Sequence, residues 1–101
     1  MNTEWIEEVR GLTKTFTFSD FNTALDFVNR VGAVAEKLQH HPDIAIRNYN
    51  TVTISTITHE KDNTVTEKDR ALAHAIDTVV EKNSVWIRFQ KVLKKVLTKE
   101  T

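Results

Sequence analysis

In TKTFTF, Thr13, Thr15 and Thr17 alternate with Lys14, Phe16 and Phe18, the period-two signature of a strand with one buried face. EWIEEV before it reads as a second short strand, and Gly11 between them suits a tight turn. The period then changes. Ser19 or Asp20 can cap a helix. Phe21, Ala24, Leu25, Val28, Val31 or Gly32, Ala35 and Leu38 follow at i, i+3, i+4 spacing. A second set, Phe27, Val31, Val34 and Leu38, runs beside the first. An apolar arc this wide predicts contact with a partner as well as with the helix's own sheet. Pro42 is expected to end the helix, since it lacks an N–H and disfavours helical backbone at His41.

Beyond the proline, residues 43–48 and 52–59 read as a second hairpin around Asn48, Tyr49 and Asn50. Ile44 shares a face with Ile46, and Val52 with Ile54. Ile57 breaks that parity, which predicts a bulge or strong twist near Thr56. Lys61, Asp62 and Asn63 form a polar loop. Thr66 opens a further helix with Asp69 three residues on, the spacing of a capping box, and Leu72, Ala75, Ile76, Val79 and Val80 form its apolar face. Asn83 and Ser84 can interrupt it. Trp86, Phe89, Val92, Leu93, Val96 and Leu97 then continue at helical spacing. The order predicts an α+β, two-layer domain over residues 1–83. A four-stranded antiparallel sheet carries helices packed on one face (β-β-α-β-β-α), and residues 84–101 add a C-terminal basic amphipathic helix.

Composition narrows the function classes. The chain has 101 residues, 40% hydrophobic and 28% charged, which fits one globular domain, small enough to gain from pairing with a second copy. Net charge is zero, which gives no case for nucleic acid as a partner. The lack of cysteine excludes disulfides, thiolate metal sites and thiol nucleophiles. No apolar run approaches the ~18 residues of a membrane span. MNTEWIEEVR is acidic and unlike a signal peptide, so a cytoplasmic location is expected. Residues 84–101 carry five basic groups and one acid, while the remainder is acidic in balance. That tail invites membrane-surface binding, but its apolar stripe fits packing on the domain or on a second subunit better.

The candidate chemistry gathers in EKLQHHPDIAIRN. Glu36 and His40 are i, i+4, so on a helix a carboxylate can meet an imidazole and favour its charged form. His41, displaced by the proline, points elsewhere. His59 stands where the second hairpin ends, and Asp69 a short loop later. Three imidazoles and one or two carboxylates can therefore converge at one edge. Taken singly, each has a plain structural explanation: rings at a helix C-terminus, a strand end, a capping residue. His74 lies off its helix's apolar stripe and has no evident partner. Three histidines can bind zinc, but adjacent ones diverge and no second close pair supports them. Without metal or thiol, histidines suit general acid/base catalysis.

The stretch EKLQHHPDIAIRNYNTVTISTITHEKDNTVTEKDRALAHAID resembles the pterin-4a-carbinolamine dehydratase family. The resemblance rests on Glu36, His40-His41-Pro42, Tyr49, His59 and Asp69. FTFSDF also looks like that family's strand-to-helix junction, and the likeness spans about residues 4–82. It implies dehydration of a 4a-hydroxytetrahydropterin to a quinonoid dihydropterin, within tetrahydrobiopterin recycling and without metal or organic cofactor. His41 would be the acid/base at the hydroxyl, with His40 and His59 assisting and orienting the pterin. Glu36 and Asp69 would tune those rings, Pro42 would line the site, and backbone around Thr58–Glu60 would meet the ring edge. A homodimer or homotetramer is implied. So is an alternative, a non-catalytic dimerisation or adaptor module using the Phe27–Val34 face. Three departures stand out: Asn63-Thr64-Val65-Thr66 replaces the usual Gly-Leu-Thr loop, Thr56 sits where a strand apolar residue is usual, and the basic tail is extra.

Overall fold

The computed structural model describes residues 4–80. Strands β1 (Ile6–Glu8) and β2 (Gly11–Thr17) lead into helix α1 (Phe21–Leu38), followed by β3 (Asp43–Arg47) and β4 (Thr51–Thr56). A single 3-10 turn, His59–Lys61, precedes helix α2, which occupies described residues 67–80. All three strand pairings are antiparallel, in the spatial order β1-β2-β4-β3. This is the expected α+β fold. The tail helix predicted for 84–101 and the boundary at 83 lie outside the described residues. No helix among the described residues is long and apolar enough to cross a membrane.

Register turns the alternation read from the sequence into two different faces. Phe16 opposes Val52, which opposes Ile46; Lys14 opposes Ile54, which opposes Ile44. These inner positions meet Ala24, Phe27, Val31 and Ala35 of α1 and Leu72 and Ile76 of α2 in one core. Phe27 sits 4.8 Å from Phe16 and 4.9 Å from Phe18 between ring centroids. Each such buried large apolar side chain contributes about 1.5–3 kcal/mol. On the outer face, hydroxyl rungs join Thr13 to Ser55 (2.9 Å) and Thr15 to Thr53 (3.3 Å).

Lys14 is the charged exception on the inner face. Its ammonium donates to Asp77 on α2 at 2.8 Å and lies 5.1 Å from the Phe16 ring centroid. The Trp5 indole N–H donates to the same carboxylate. The half-buried charge is thereby paired, and α2 is held across β2.

Four local expectations are corrected. The buried stripe of α1 is Ala24, Phe27, Val31 and Ala35, whereas Phe21, Leu25 and Leu38 are 47%, 37% and 44% exposed. Phe27 and Val31 are therefore core, not a partner face. The helix stops at Leu38, before the proline acts, because Gln39 takes the left-handed conformation at φ 54°. Gln39 N–H then donates to Glu36 and His40 N–H to Ala35, the paired bonds of a Schellman end. Gly11 opens β2 instead of forming the turn, which is Val9 and Arg10. Its φ is +118°, and an added Cβ would lie 2.3 Å from the Thr56 carbonyl oxygen. There is no bulge at Thr56: the ladder runs regularly to Leu12 opposite Thr56, and Ile57 lies past the strand end.

Candidate active site

The left-handed Gln39 decides where the adjacent histidines go. It turns the chain off the helical path, so His40 folds back into the domain and its side chain is only 9% exposed. The ring Nε2 lies 2.6 Å from Asp69 Oδ1. Glu36, the expected i, i+4 partner of His40, pairs instead with His41 at 2.8 Å, because the helix has ended before residue 40. That pair is open to solvent, its side chains 60% and 72% exposed.

Asp69 is the centre of the buried half. The capping box read from the sequence forms: Thr66 N–H donates to Asp69 Oδ2 at 2.8 Å, and Lys68 N–H reaches Thr66 Oγ1. The same carboxylate is also wholly buried. Thr56 Oγ1 donates to Oδ1 and Thr58 Oγ1 to Oδ2, each at 2.7 Å. With His40, four donors fill the roughly four lone-pair sites of a carboxylate. Burial is the largest influence on this group and pushes its pKa up. The hydrogen bonds from Thr56, His40, the Thr66 N–H and Thr58 together overcome that and leave it at about 2. An ionised carboxylate only accepts, so His40 donates through Nε2–H. In the neutral ring Nδ1 then carries the free lone pair.

His59 begins the 3-10 turn, exposed, with Nδ1 donating to Asn63 Oδ1 at 2.6 Å. That bond leaves Nε2 as the accepting nitrogen of its neutral form. Glu60 follows. Its own backbone N–H holds its carboxyl below the usual value, helped by the charges of Lys68, His40 and His59. One carboxylate thus lies in the field of both imidazoles. Pro42 is half-buried just before β3. Thr58 is not free to meet a ligand: its hydroxyl bridges Asp69 and Thr66, and its backbone N–H and C=O both bond Thr64. Tyr49 stands at the β3–β4 turn, the opposite end of the hairpin from the site, and His74 is exposed elsewhere on α2. The sequence reading did not assign the Thr56 hydroxyl to the site. Its parity with Val52 and Ile54 was the available signal, since it puts an alcohol on the inner face.

The profile of the family described as pterin 4 alpha carbinolamine dehydratase matches residues 1–79. A protein of Thermomicrobium roseum, provisionally named a pterin-4-alpha-carbinolamine dehydratase, is 44% identical over 72 residues, 71% of this chain and 75% of its own. One from Chloroflexus aurantiacus with the same provisional name is 43% identical over 77 residues, covering 76% and 81%. A Brucella melitensis crystal structure described as a transcriptional coactivator/pterin dehydratase superposes with a TM-score of 0.65 at 32% identity. That match covers 77% of this chain and 80% of that one. A pterin dehydratase-like protein identified as a RuBisCO assembly factor in the alpha-carboxysome shares the fold at a TM-score of 0.64. Its identity is 24%, with 76% and 89% covered.

Proposed function

Because the chain belongs to the pterin 4 alpha carbinolamine dehydratase family, we propose that it dehydrates a 4a-hydroxytetrahydropterin to a quinonoid dihydropterin. In this elimination the C4a–O bond breaks, the oxygen takes a proton and leaves as water, and N5 loses its proton as the N5–C4a double bond forms. Two proton-transfer groups are needed. His41, beside Glu36 and open to solvent, delivers the proton to the leaving hydroxyl and is recharged from water. His40 accepts the N5 proton at Nδ1, while Asp69 holds its Nε2–H and stabilises the imidazolium that forms. His59, oriented by Asn63, and the backbone near Glu60 meet the pterin edge, with Pro42 beside them. Each proton transfer is worth ~10²–10⁴-fold. The route uses neither metal nor organic cofactor, and belongs to cytoplasmic pterin recycling by a homodimer or homotetramer.

The observation that supports this most is the 2.6 Å contact between His40 and a carboxylate that is wholly buried and fully hydrogen-bonded. Following the absorbance decay of a 4a-hydroxytetrahydropterin tests it. The protein should speed the decay, and His40→Ala and His41→Ala should each lose about 10²-fold or more in kcat. Equal decay with and without protein overturns the proposal. Phe21, Leu25 and Leu38, exposed on α1, favour the adaptor reading instead. An adaptor would tolerate the histidine changes and lose its partner on Leu25→Glu.

A further inference from the structure

Thr56 presents an unusual choice at an inner-face position. Its neighbours on that face, Val52 and Ile54, are apolar and fully buried, and valine would have nearly the same shape. Its hydroxyl nevertheless points at Asp69 Oδ1, the oxygen that His40 also uses. The backbone here has little room to move, because Leu12 pairs with Thr56 and Gly11 lies against the Thr56 carbonyl. The alcohol is therefore held in place by the sheet, not by a mobile loop.

Two donors on one carboxylate oxygen compete for the same negative charge. A donor that stabilises the carboxylate weakens its pull on the other donor's proton. We propose that Thr56 is a positioning residue for the dehydration: it fixes the rotamer of Asp69 and limits how strongly Asp69 stabilises positive charge on His40. Nδ1 is thereby left as the ring nitrogen that accepts a proton. This rests on the dehydratase reading and assigns that site a regulator of its base. Of the charged and titratable groups nearby, Glu60 on the 3-10 turn lies in the field of His40, of His59 and of Lys68 on α2, while Glu36 on α1 pairs with His41, the next residue in the chain. None of them is altered by a change at residue 56.

Without the alcohol, the His40 Nε2–H bond to Asp69 strengthens and the imidazolium is favoured. In the full-length chain, Thr56→Val should move the Nε2–H proton resonance of His40 downfield. The acid limb of the kcat–pH profile should shift to higher pH by about half a unit, with KM little changed. Thr56→Ser keeps the donor and should restore both readouts. If valine prevents folding, Thr56→Ala carries the same expectation. An unmoved resonance in the valine variant, or a serine variant displaced as far as valine, overturns the proposal. The resonance is read without substrate. A shifted signal in a protein without dehydratase activity would support the Thr56 coupling and refute the dehydratase reading alone.

Discussion

Among the described residues, two histidine–carboxylate pairs of nearly equal length stand in opposite surroundings. His40 and Asp69 meet at 2.6 Å with 9% and 0% of their side chains exposed; His41 and Glu36 meet at 2.8 Å with 60% and 72% exposed. Distance alone would rank them alike. Burial separates them, because water competes for every charge in the outer pair and reaches little of the inner one. The inner pair consequently needs Thr56, Thr58 and the Thr66 N–H to complete it, whereas the outer pair stays open to solvent, with Gln39 the further side chain that acts on its carboxyl. One half of the site is built into the core, and the other is exposed enough to exchange protons with solvent.

The sharpest way to break this comparison is to remove the inner carboxylate. Asp69→Ala strands His40, two hydroxyls and a backbone N–H inside the protein. Breaking a buried pair in this way costs roughly 3–5 kcal/mol, a large part of what a small domain has. Denaturant unfolding should show that loss. A shift of only a few tenths would mean the network is incidental to the fold.

Acid provides the next largest effect. Against the upward push of burial, its hydrogen bonds hold the Asp69 carboxyl at about 2 in the fold, below the ordinary aspartate value of 3.8. The folded value is depressed, so its contribution is fully present above the unfolded value and fades as pH falls through about 4 towards 2. At 1.36 kcal/mol per unit this amounts to roughly 2–3 kcal/mol. Unfolding free energies measured at pH 6, 4 and 3 should fall more steeply in the parent chain than in Asp69→Asn. Parallel curves would remove Asp69 as the source.

Gly11→Ala tests the support behind Thr56. The new methyl would sit 2.3 Å from the Thr56 carbonyl oxygen at a φ of +118°. Strain and the forced shift of β4 should cost about 2 kcal/mol or more in unfolding free energy. By displacing Thr56 the change should also lower kcat. Full activity at reduced stability would show that the inner pair does not depend on this strand contact.

Much of the scaffold was legible in the sequence because its signals are local. TKTFTF gave the faces of β2, and Thr66 with Asp69 gave the start of α2. The site was only half legible. The convergence of Asp69 on the histidine region was anticipated, but Glu36 was matched to His40 and not to His41. The deciding event is a left-handed Gln39, a residue type that carries no stop signal of its own, so the visible Pro42 drew the credit. Ile57 suggested a bulge because parity does not say where pairing ends. Gly11 read as a turn because close approach to a strand three elements further along the chain leaves no local trace.

The smallest effect sharpens the comparison most. Glu36→Gln removes the outer negative charge and keeps the side chain's size and its ability to accept a hydrogen bond from His41. His41, by hydrogen bonding and by charge, is what lowers the Glu36 carboxyl below its usual value. Since both side chains face water, solvent replaces most of what is lost, and the unfolding midpoint should stay where it is. Catalysis responds differently. Without the carboxylate, His41 loses the hydrogen-bonded anion beside it, so delivery of its proton to the hydroxyl slows. The kcat should fall several-fold. Raised salt should narrow the gap between parent and variant by screening the parent's pair. A changed midpoint with unchanged kcat would reverse the assignment and make the outer pair the structural one.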